Sequence, residues 1–145
     1  MSQDSVKTTC TLGKPRVEEK LQIANSYEDY EQILSNNMNT KPLYLFFVAS
    51  YSPISGYCWN PLCVEVTQFL EKYTSNITSG AFITVYVGLE DDWEDLTNPF
   101  RKDEDLQLRT LPTLMRFDTL KKLEGNFCLK EELVNLLFQD FQCQP

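Results

Sequence analysis

Residues 43–63 read LYLFFVASYSPISGYCWNPLC, and this stretch decides the fold. Leu43 to Val48 is an unbroken apolar run of strand length, which is typical of a central strand buried on both faces. Ala49 to Tyr57 contains Ser, Pro and Gly and predicts a loop. Asn60 and Pro61 then predict the start of a helix, because Asn is a favoured N-cap and Pro is favoured at the first helical position.

The rest of the chain alternates predicted strands with predicted helices on either side of this stretch. Before this stretch we predict a short strand from Arg16 to Ile23 and a helix capped by Ser26; the helix that begins at Asn60 and Pro61 reaches about Tyr73. After it we predict a second central strand from Ala81 to Val87 and a short helix plus loop within Asp91 to Arg101. The chain then continues with a strand from Thr113 to Phe117, an edge hairpin strand from Lys122 to Gly125, and a final helix from Leu129 or Lys130 through Phe141. The order β-α-β-α-β-α-β-β-α predicts an α/β fold with a mixed central sheet covered by helices on both faces.

The length and the hydropathy pattern predict one domain with a tail. The chain has 145 residues, of which 42% are hydrophobic, enough for a single core. Residues 1–15 are polar and show no periodicity, so we expect a flexible tail there and one domain over residues 16–145.

The charge and the leading residues restrict partners and location. The formal net charge is −8, from 21 acidic and 13 basic residues, so we expect no nucleic-acid partner and no attraction to anionic membranes. No stretch approaches the ~20 apolar residues of a membrane span. Met1 to Thr11 lacks the apolar core of a signal peptide. We therefore expect a cytosolic monomer.

The cysteine pattern and the absence of histidine narrow the chemistry. An odd, scattered set of cysteines in a reducing compartment is not a disulfide framework. The five are Cys10, Cys58, Cys63, Cys128 and Cys143. The chain contains no histidine, which excludes Ser-His and Cys-His catalysis and histidine-containing zinc sites. Only Cys58 and Cys63 are close in sequence, so we expect no metal site.

The candidate site is the segment from Cys58 to Cys63, where the loop meets the predicted helix. Unpaired N–H groups and the dipole at a helix N-terminus favour a thiolate. A cysteine placed there can have a pKa well below the usual ~8.5 of a free thiol, which would make it an attacking group.

The segment Trp59 to Cys63 resembles the thioredoxin active site, and more narrowly that of the thioredoxin domain-containing protein 17 family, which carries Trp-Cys-Pro-Asp-Cys. Further stretches resemble the same family over roughly Arg16 to Phe141. These are Val87–Glu90 with Trp93, Asn98–Lys102, Leu111–Leu114 and Cys128–Leu129, together with the long insertion between Ala49 and Trp59. The resemblance implies a thioredoxin-like fold and a cytosolic protein-disulfide reductase without a bound cofactor. An NADPH-dependent reductase, such as a thioredoxin reductase, would reduce it, and its substrates would be protein or small-thiol disulfides. Members of this branch are also associated with signalling complexes.

The sequence departs from the family at the position of the attacking cysteine, which here is Asn60. Cys63 matches the second, resolving cysteine. A carboxamide cannot become a nucleophile, so the resemblance implies weak or altered exchange. Cys63 is expected to be largely buried, either as a core residue or as a slow single-thiol reactant. Cys58, expected to be exposed on the loop, is either a bystander or a substitute attacking thiol that Cys63 resolves.

Other positions in the pattern bear on the same chemistry. Leu62 replaces the acid that this branch carries, and Phe46 lies where many thioredoxins place a buried acid. Pro112 is expected to be a cis proline that offers the backbone of Leu111 to an extended substrate; the alternative is a simple strand-entry turn. The candidate substrate-binding residues are Trp59, Asn60, Pro61, Leu111 and Pro112.

Two functions therefore remain open. One is a protein-disulfide reductase that works weakly through Cys63, with or without Cys58. The other is a catalytically inactive binding or signalling module that grips extended segments beside Pro112.

Overall fold

The computed structural model describes residues 20–119 and 121–139 of the chain. The predicted tail, the start of the first predicted strand at Arg16 and the end of the last predicted helix at Phe141 lie outside these residues. The domain boundary at residue 16 therefore stays a prediction.

Five strands form one mixed sheet in the order β1-β3-β2-β4-β5. Their bounds are β1 Leu21–Ala24, β2 Leu43–Val48, β3 Ala81–Tyr86, β4 Thr113–Arg116 and β5 Lys121–Glu124. Strands β1 and β2 run parallel to β3, whereas β4 runs antiparallel to β2 and to β5. The predicted mixed sheet and its two central strands are confirmed.

The predicted central strand β2 has all six residues buried. It has a neighbour on each side: Leu45 pairs with Ile83 of β3 and with Met115 of β4. Side chains alternate between the two faces of a strand. Phe46 accordingly packs near Phe82, with ring centroids 5.9 Å apart. The next side chain, Phe47, packs against Tyr30 of the helix Tyr27–Asn36, with ring centroids 5.8 Å apart.

The helices lie where the sequence predicts them, with two differences. They are α1 Tyr27–Asn36, α2 Pro61–Thr74, α3 Glu90–Glu94, α4 Pro99–Lys102, a 3-10 turn at Gly125–Leu129, and α5 Glu131–Phe138. The predicted cap of α1 is confirmed, because Ser26 Oγ accepts from the Asp29 amide at 3.0 Å. The final α-helix begins later than predicted, because the 3-10 turn occupies the residues before it.

The region predicted as a single short helix plus loop contains two short helices. The second, α4, begins after Asn98, whose Oδ1 accepts from the Phe100 amide at 2.8 Å. Asn98 is followed by Pro99, the same Asn-Pro pair that begins α2. The sequence therefore carried a start signal for α4 that the hydrophobic periodicity did not reveal.

The carboxyl ends of the parallel strands β2 and β3 lie together at one edge of the sheet. The Val87 amide donates to Val48 O and the Ser50 amide donates to Gly88 O, both at 3.0 Å. The chain after β2 therefore leaves the sheet beside the chain after β3, and this edge is where α2 begins. No helix in the described ranges, 20–119 and 121–139, is both long enough and apolar enough to cross a bilayer.

The backbone at Gly80, just before β3, lies very close to Pro42, and a substitution at Gly80 tests this contact through its effect on stability. Its φ is +82°, and a Cβ atom there would overlap the carbonyl oxygen of Pro42. We expect Gly80→Ala to lower the free energy of unfolding by more than about 2 kcal/mol, because the left-handed backbone and the overlap both cost energy. Urea denaturation measures this change.

Gly56 is the matched control, since its φ is +77° and nothing lies within 4 Å of a Cβ there. Gly56→Ala should cost only the conformational part, about 1 kcal/mol. Equal losses in the two variants would contradict the overlap at Gly80.

Candidate functional site

Asn60 caps helix α2 at the edge where β2 ends. Its backbone is extended, with φ −119° and ψ 102°, and its Oδ1 accepts from the Cys63 amide at 3.2 Å. Pro61 occupies the first helical turn, where it has no N–H to leave unpaired. The predicted helix start is confirmed.

Cys63 lies inside the first turn of α2 and is buried, as expected, with 2% of its surface exposed. Its Sγ accepts from the Ala49 amide at 3.4 Å. Burial raises the pKa of the Cys63 thiol to about 12, because the thiolate would be desolvated. At neutral pH this thiol is therefore almost entirely protonated, which makes it a poor nucleophile.

Cys58 is half-buried, so the expectation that it is exposed on the loop is wrong. The loop folds back on itself: Cys58 forms an antiparallel bridge with Tyr51, and the Ser52 amide donates to Tyr57 O at 2.9 Å. The Cys58 Sγ lies 3.7 Å from Ala49 O and 3.5 Å from Asn60 O. Both sulfurs of the segment thus contact the backbone of Ala49.

Trp59 connects the loop between β2 and α2 to the chain just after β3 through a hydrogen bond. Its indole N–H donates to Gly88 O at 3.0 Å, and the Gly88 amide in turn donates to Ser50 Oγ at 2.9 Å. The ring is half-buried and packs against the core. Trp59 therefore covers the core and also borders the start of α2.

Leu111 and Pro112 lie at the same edge of the sheet as Ala49. The next residue, Thr113, pairs with Phe47 near the carboxyl end of β2. The peptide bond between Leu111 and Pro112 is cis, and Pro112 O accepts from the Gly125 amide at 2.8 Å. Both residues are buried, so a bound segment would have to approach them from the rim of this edge.

Cys128 is a further thiol at this edge, and the sequence analysis did not place it in the site. It lies in the 3-10 turn that contacts α2, with its Sγ 4.0 Å from Pro112 O and 3.4 Å from Leu123 O. Burial raises its pKa to about 12. Ala49 was also missed, because it acts through its backbone and its residue type carries no signal.

Two further positions, at which the sequence resemblance led us to expect acids in related proteins, are apolar in this chain. Phe46 is buried in β2, and Leu62 is half-buried against the core. Within residues 20–119 and 121–139, no group of three or more Cys, Asp or Glu side chains is arranged to hold a metal ion.

This arrangement, a mixed sheet whose central strand leads into a helix at its carboxyl end, is that of a thioredoxin-like fold, and solved structures agree. The reduced thioredoxin pre-protein of Schistosoma mansoni superposes with a TM-score of 0.54 at 18% identity, covering 83% of this chain and 99% of that chain. Oxidised thioredoxin O1 of Arabidopsis thaliana superposes with a TM-score of 0.52 at 17% identity, covering 83% and 99%. The predicted thioredoxin-like α/β fold is confirmed.

Residues 23–140 match the family described as thioredoxin domain-containing protein 17-like, thioredoxin domain, and the chain belongs to this family. Thioredoxin domain-containing protein 17 of Homo sapiens is 30% identical over 80% of this chain and 92% of its own length. That of Epinephelus coioides is 32% identical over 79% and 90%.

Removing the cap should destabilise the start of α2. We expect Asn60→Ala to lower the free energy of unfolding by about 1 kcal/mol, because the Cys63 amide loses its side-chain acceptor. Asn60→Asp keeps an acceptor at the helix N-terminus and should stay within about 0.5 kcal/mol of the wild type. Chemical denaturation of the three proteins tests this, and equal stability of Asn60→Ala and wild type would refute the capping role.

The thiols should differ sharply in their reaction with iodoacetamide, as followed by mass spectrometry. We expect Cys58 to react first, since it alone of the three described cysteines is half-buried and not fully buried. Cys63 has a pKa of about 12, so its modification rate should still be rising between pH 8 and pH 11.

At pH 8 a thiol with that pKa is only about 10⁻⁴ thiolate. In urea, Cys63 and Cys128 should both react as ordinary thiols, with a midpoint near the usual ~8.5. If Cys63 in the native protein is modified at pH 8 as fast as it is in urea, the burial of its side chain is contradicted.

Proposed function

We propose that the chain is a thioredoxin-fold protein of the protein-disulfide reductase class whose exchange is slow because Asn60 stands at the attacking position. One observation carries the proposal: two sulfurs meet at one backbone residue at the start of α2. Cys63 Sγ lies 3.4 Å from Ala49 N, and Cys58 Sγ lies 3.7 Å from Ala49 O. The family membership supports the reaction class, and the Cys58–Cys63 pair is the feature particular to this chain.

The exchange would run in two steps. Cys58 loses its proton and attacks one sulfur of a substrate disulfide, so that a mixed disulfide forms and the other substrate sulfur leaves and takes up a proton. Cys63 then loses its proton and attacks Cys58 Sγ, which releases the second substrate thiol. The substrate gains two electrons and two protons, and the protein is left with a Cys58–Cys63 disulfide.

Both steps are slow for physical reasons. Cys58 precedes the helix cap, so it lies outside the first turn, where N–H groups would stabilise a thiolate. Cys63 has a pKa of about 12, so its deprotonation is unfavourable near neutral pH. Closing the disulfide also requires the two Cα atoms to lie roughly 4.4–6.8 Å apart.

The proposal also covers the reductant that would regenerate the protein, the substrates of the protein and its location in the cell. An NADPH-dependent reductase of the thioredoxin reductase class would return two electrons to the Cys58–Cys63 disulfide, with no cofactor bound to this chain. The substrates would be protein or small-thiol disulfides, encountered by a monomer in the cytosol.

A second candidate is a binding module that grips extended segments without turning them over. The burial of Cys63, together with the placement of Leu111 and Pro112 beside the end of β2, favours it. In this case Asn60 is purely a helix cap, and Trp59 and Pro61 form part of the contact surface.

A reductase-coupled NADPH assay on insulin distinguishes the two candidates. We expect slow turnover in the wild type, its loss in Cys58→Ser and in Cys63→Ser, and a gain of about tenfold or more in Asn60→Cys, because a thiol at the cap position is activated by the helix N-terminus. Cys128→Ala is the matched control, since it removes another buried thiol without touching the proposed pair.

Wild-type turnover that survives Cys58→Ser would refute the role of Cys58. No turnover in the wild type, with turnover in Asn60→Cys, would refute the reductase proposal and leave the binding module.

A further inference from the structure

The loop between β2 and α2 and the first turns of α2 line an open surface cavity of about 390 Å³. Its lining is mostly apolar and aromatic, and it includes Tyr51, Tyr57, Cys58, Pro61, Val64 and Glu65. The cavity shares Cys58 and Pro61 with the proposed exchange site, but neither Leu111 nor Pro112 lines it. It is therefore a different surface from the one beside the cis peptide bond.

The loop holds large apolar side chains in solvent next to this cavity. Ile54 is 96% exposed, Tyr57 is 77% exposed and Tyr51 is 47% exposed. An interaction surface typically presents several exposed apolar side chains, whereas a single one needs no explanation.

The backbone keeps these side chains in place. The Gly56 amide donates to Ser52 O at 2.8 Å, and Ser52 Oγ accepts from the amides of Ile54 and Ser55, both at 3.2 Å. The Tyr51 ring also packs edge-on against Tyr86, with centroids 6.3 Å apart. A surface ordered before binding loses less conformational entropy when a partner docks.

Among the residues that the structure describes, the one charged side chain that lines the cavity is acidic. Glu65 lines it, and the sequence from Pro42 to Glu71 contains no Lys or Arg. On the other side of Trp59, helix α3 begins with the exposed Glu90 and Asp91, two residues after Gly88.

Two of the described cations are paired elsewhere and do not line the cavity. Lys72 lies in the last turn of α2, away from the cavity, and bonds Glu131, while Arg109, on the chain leading to β4, bonds Glu124. The cavity therefore combines an apolar and aromatic lining with the exposed carboxylate of Glu65. This combination is complementary to an apolar side chain accompanied by a positive charge.

We propose that this cavity is a docking site for an extended polypeptide segment with a large apolar side chain next to Lys or Arg. The apolar side chain would enter between Tyr57 and Val64, and the basic side chain would face Glu65. If the docked segment belongs to a disulfide substrate, docking would bring that disulfide near Cys58; this consequence rests on the proposed function, whereas the docking itself does not. A second copy of this chain is disfavoured as the occupant, because a symmetric contact would place Glu65 on both sides and would join two chains of net charge −8.

The test is fluorescence anisotropy of the full chain with a fluorescein-labelled peptide, Gly-Ser-Gly-Phe-Lys-Arg-Gly-Ser. The peptide has no cysteine, so exchange chemistry cannot contribute, and failure of the proposed function leaves this result intact. Two comparison peptides carry Ser in place of Phe, or Glu-Glu in place of Lys-Arg. We expect the first peptide to bind at least about fivefold more tightly than either comparison peptide.

Matched protein variants locate the binding. Ile54→Ser and Tyr57→Ser should each weaken binding by about fivefold or more, whereas Met38→Ser, which is 57% exposed before the start of β2, should not. Glu65→Lys should weaken binding more than Glu71→Lys, on the same helix but outside the cavity lining.

Equal affinity for the three peptides, no detectable binding, or wild-type affinity in both Ile54→Ser and Tyr57→Ser would overturn the proposal. A concentration-dependent dimer in sedimentation velocity that Ile54→Ser abolishes would also overturn it, since the surface would then serve self-association.

Discussion

The hydrogen bond from the Cys63 amide to Asn60 Oδ1 determines where helix α2 begins, and the rest of the site follows from that point. Because the helix starts at Pro61, Cys63 falls in its first turn and points its sulfur at the Ala49 amide. Trp59 is left outside the helix, where its indole bonds Gly88 O. The end of β2, the end of β3 and the start of α2 are thus held together by a few bonds around one capped turn.

The unpaired N–H groups at the start of a helix can bond a capping side chain or stabilise a thiolate, but the same N–H group cannot do both at full strength. A helix N-terminus offers donors that either bond a side-chain oxygen or stabilise a negative sulfur. With Asn60 at this position the Cys63 amide is bonded to a neutral oxygen, and the turn gains stability without a reactive group. On the proposed function, Asn60 therefore keeps the local fold while it provides no attacking thiol, a case in which function and stability compete at one position.

Much of the fold could be predicted because its signals are local. The apolar run of β2 and the Asn-Pro start of α2 depend on residues adjacent in sequence, and both appear where predicted. The second Asn-Pro pair, at Asn98, was a local signal that went unused. The half-burial of Cys58 could not be predicted in the same way, because it depends on a bridge to Tyr51 and on the fold of the whole loop. The contact of both sulfurs with Ala49 was equally inaccessible, since a backbone contact leaves no pattern in side chains.

The buried thiols and the exposed loop have a joint consequence for any exchange at this site. On the proposed function, the Cys63 thiol with its pKa of about 12 slows the exchange, so the yield of each encounter depends on how long a client remains bound. Proximity raises the effective concentration of a client disulfide without changing the reactivity of either sulfur. The cavity beside Cys58 lies where such a gain would act, because Cys58 is part of its lining. Selection among clients would then lie in the loop and in Glu65, which decide what stays bound, more than in the thiols, which differ little in what they can attack.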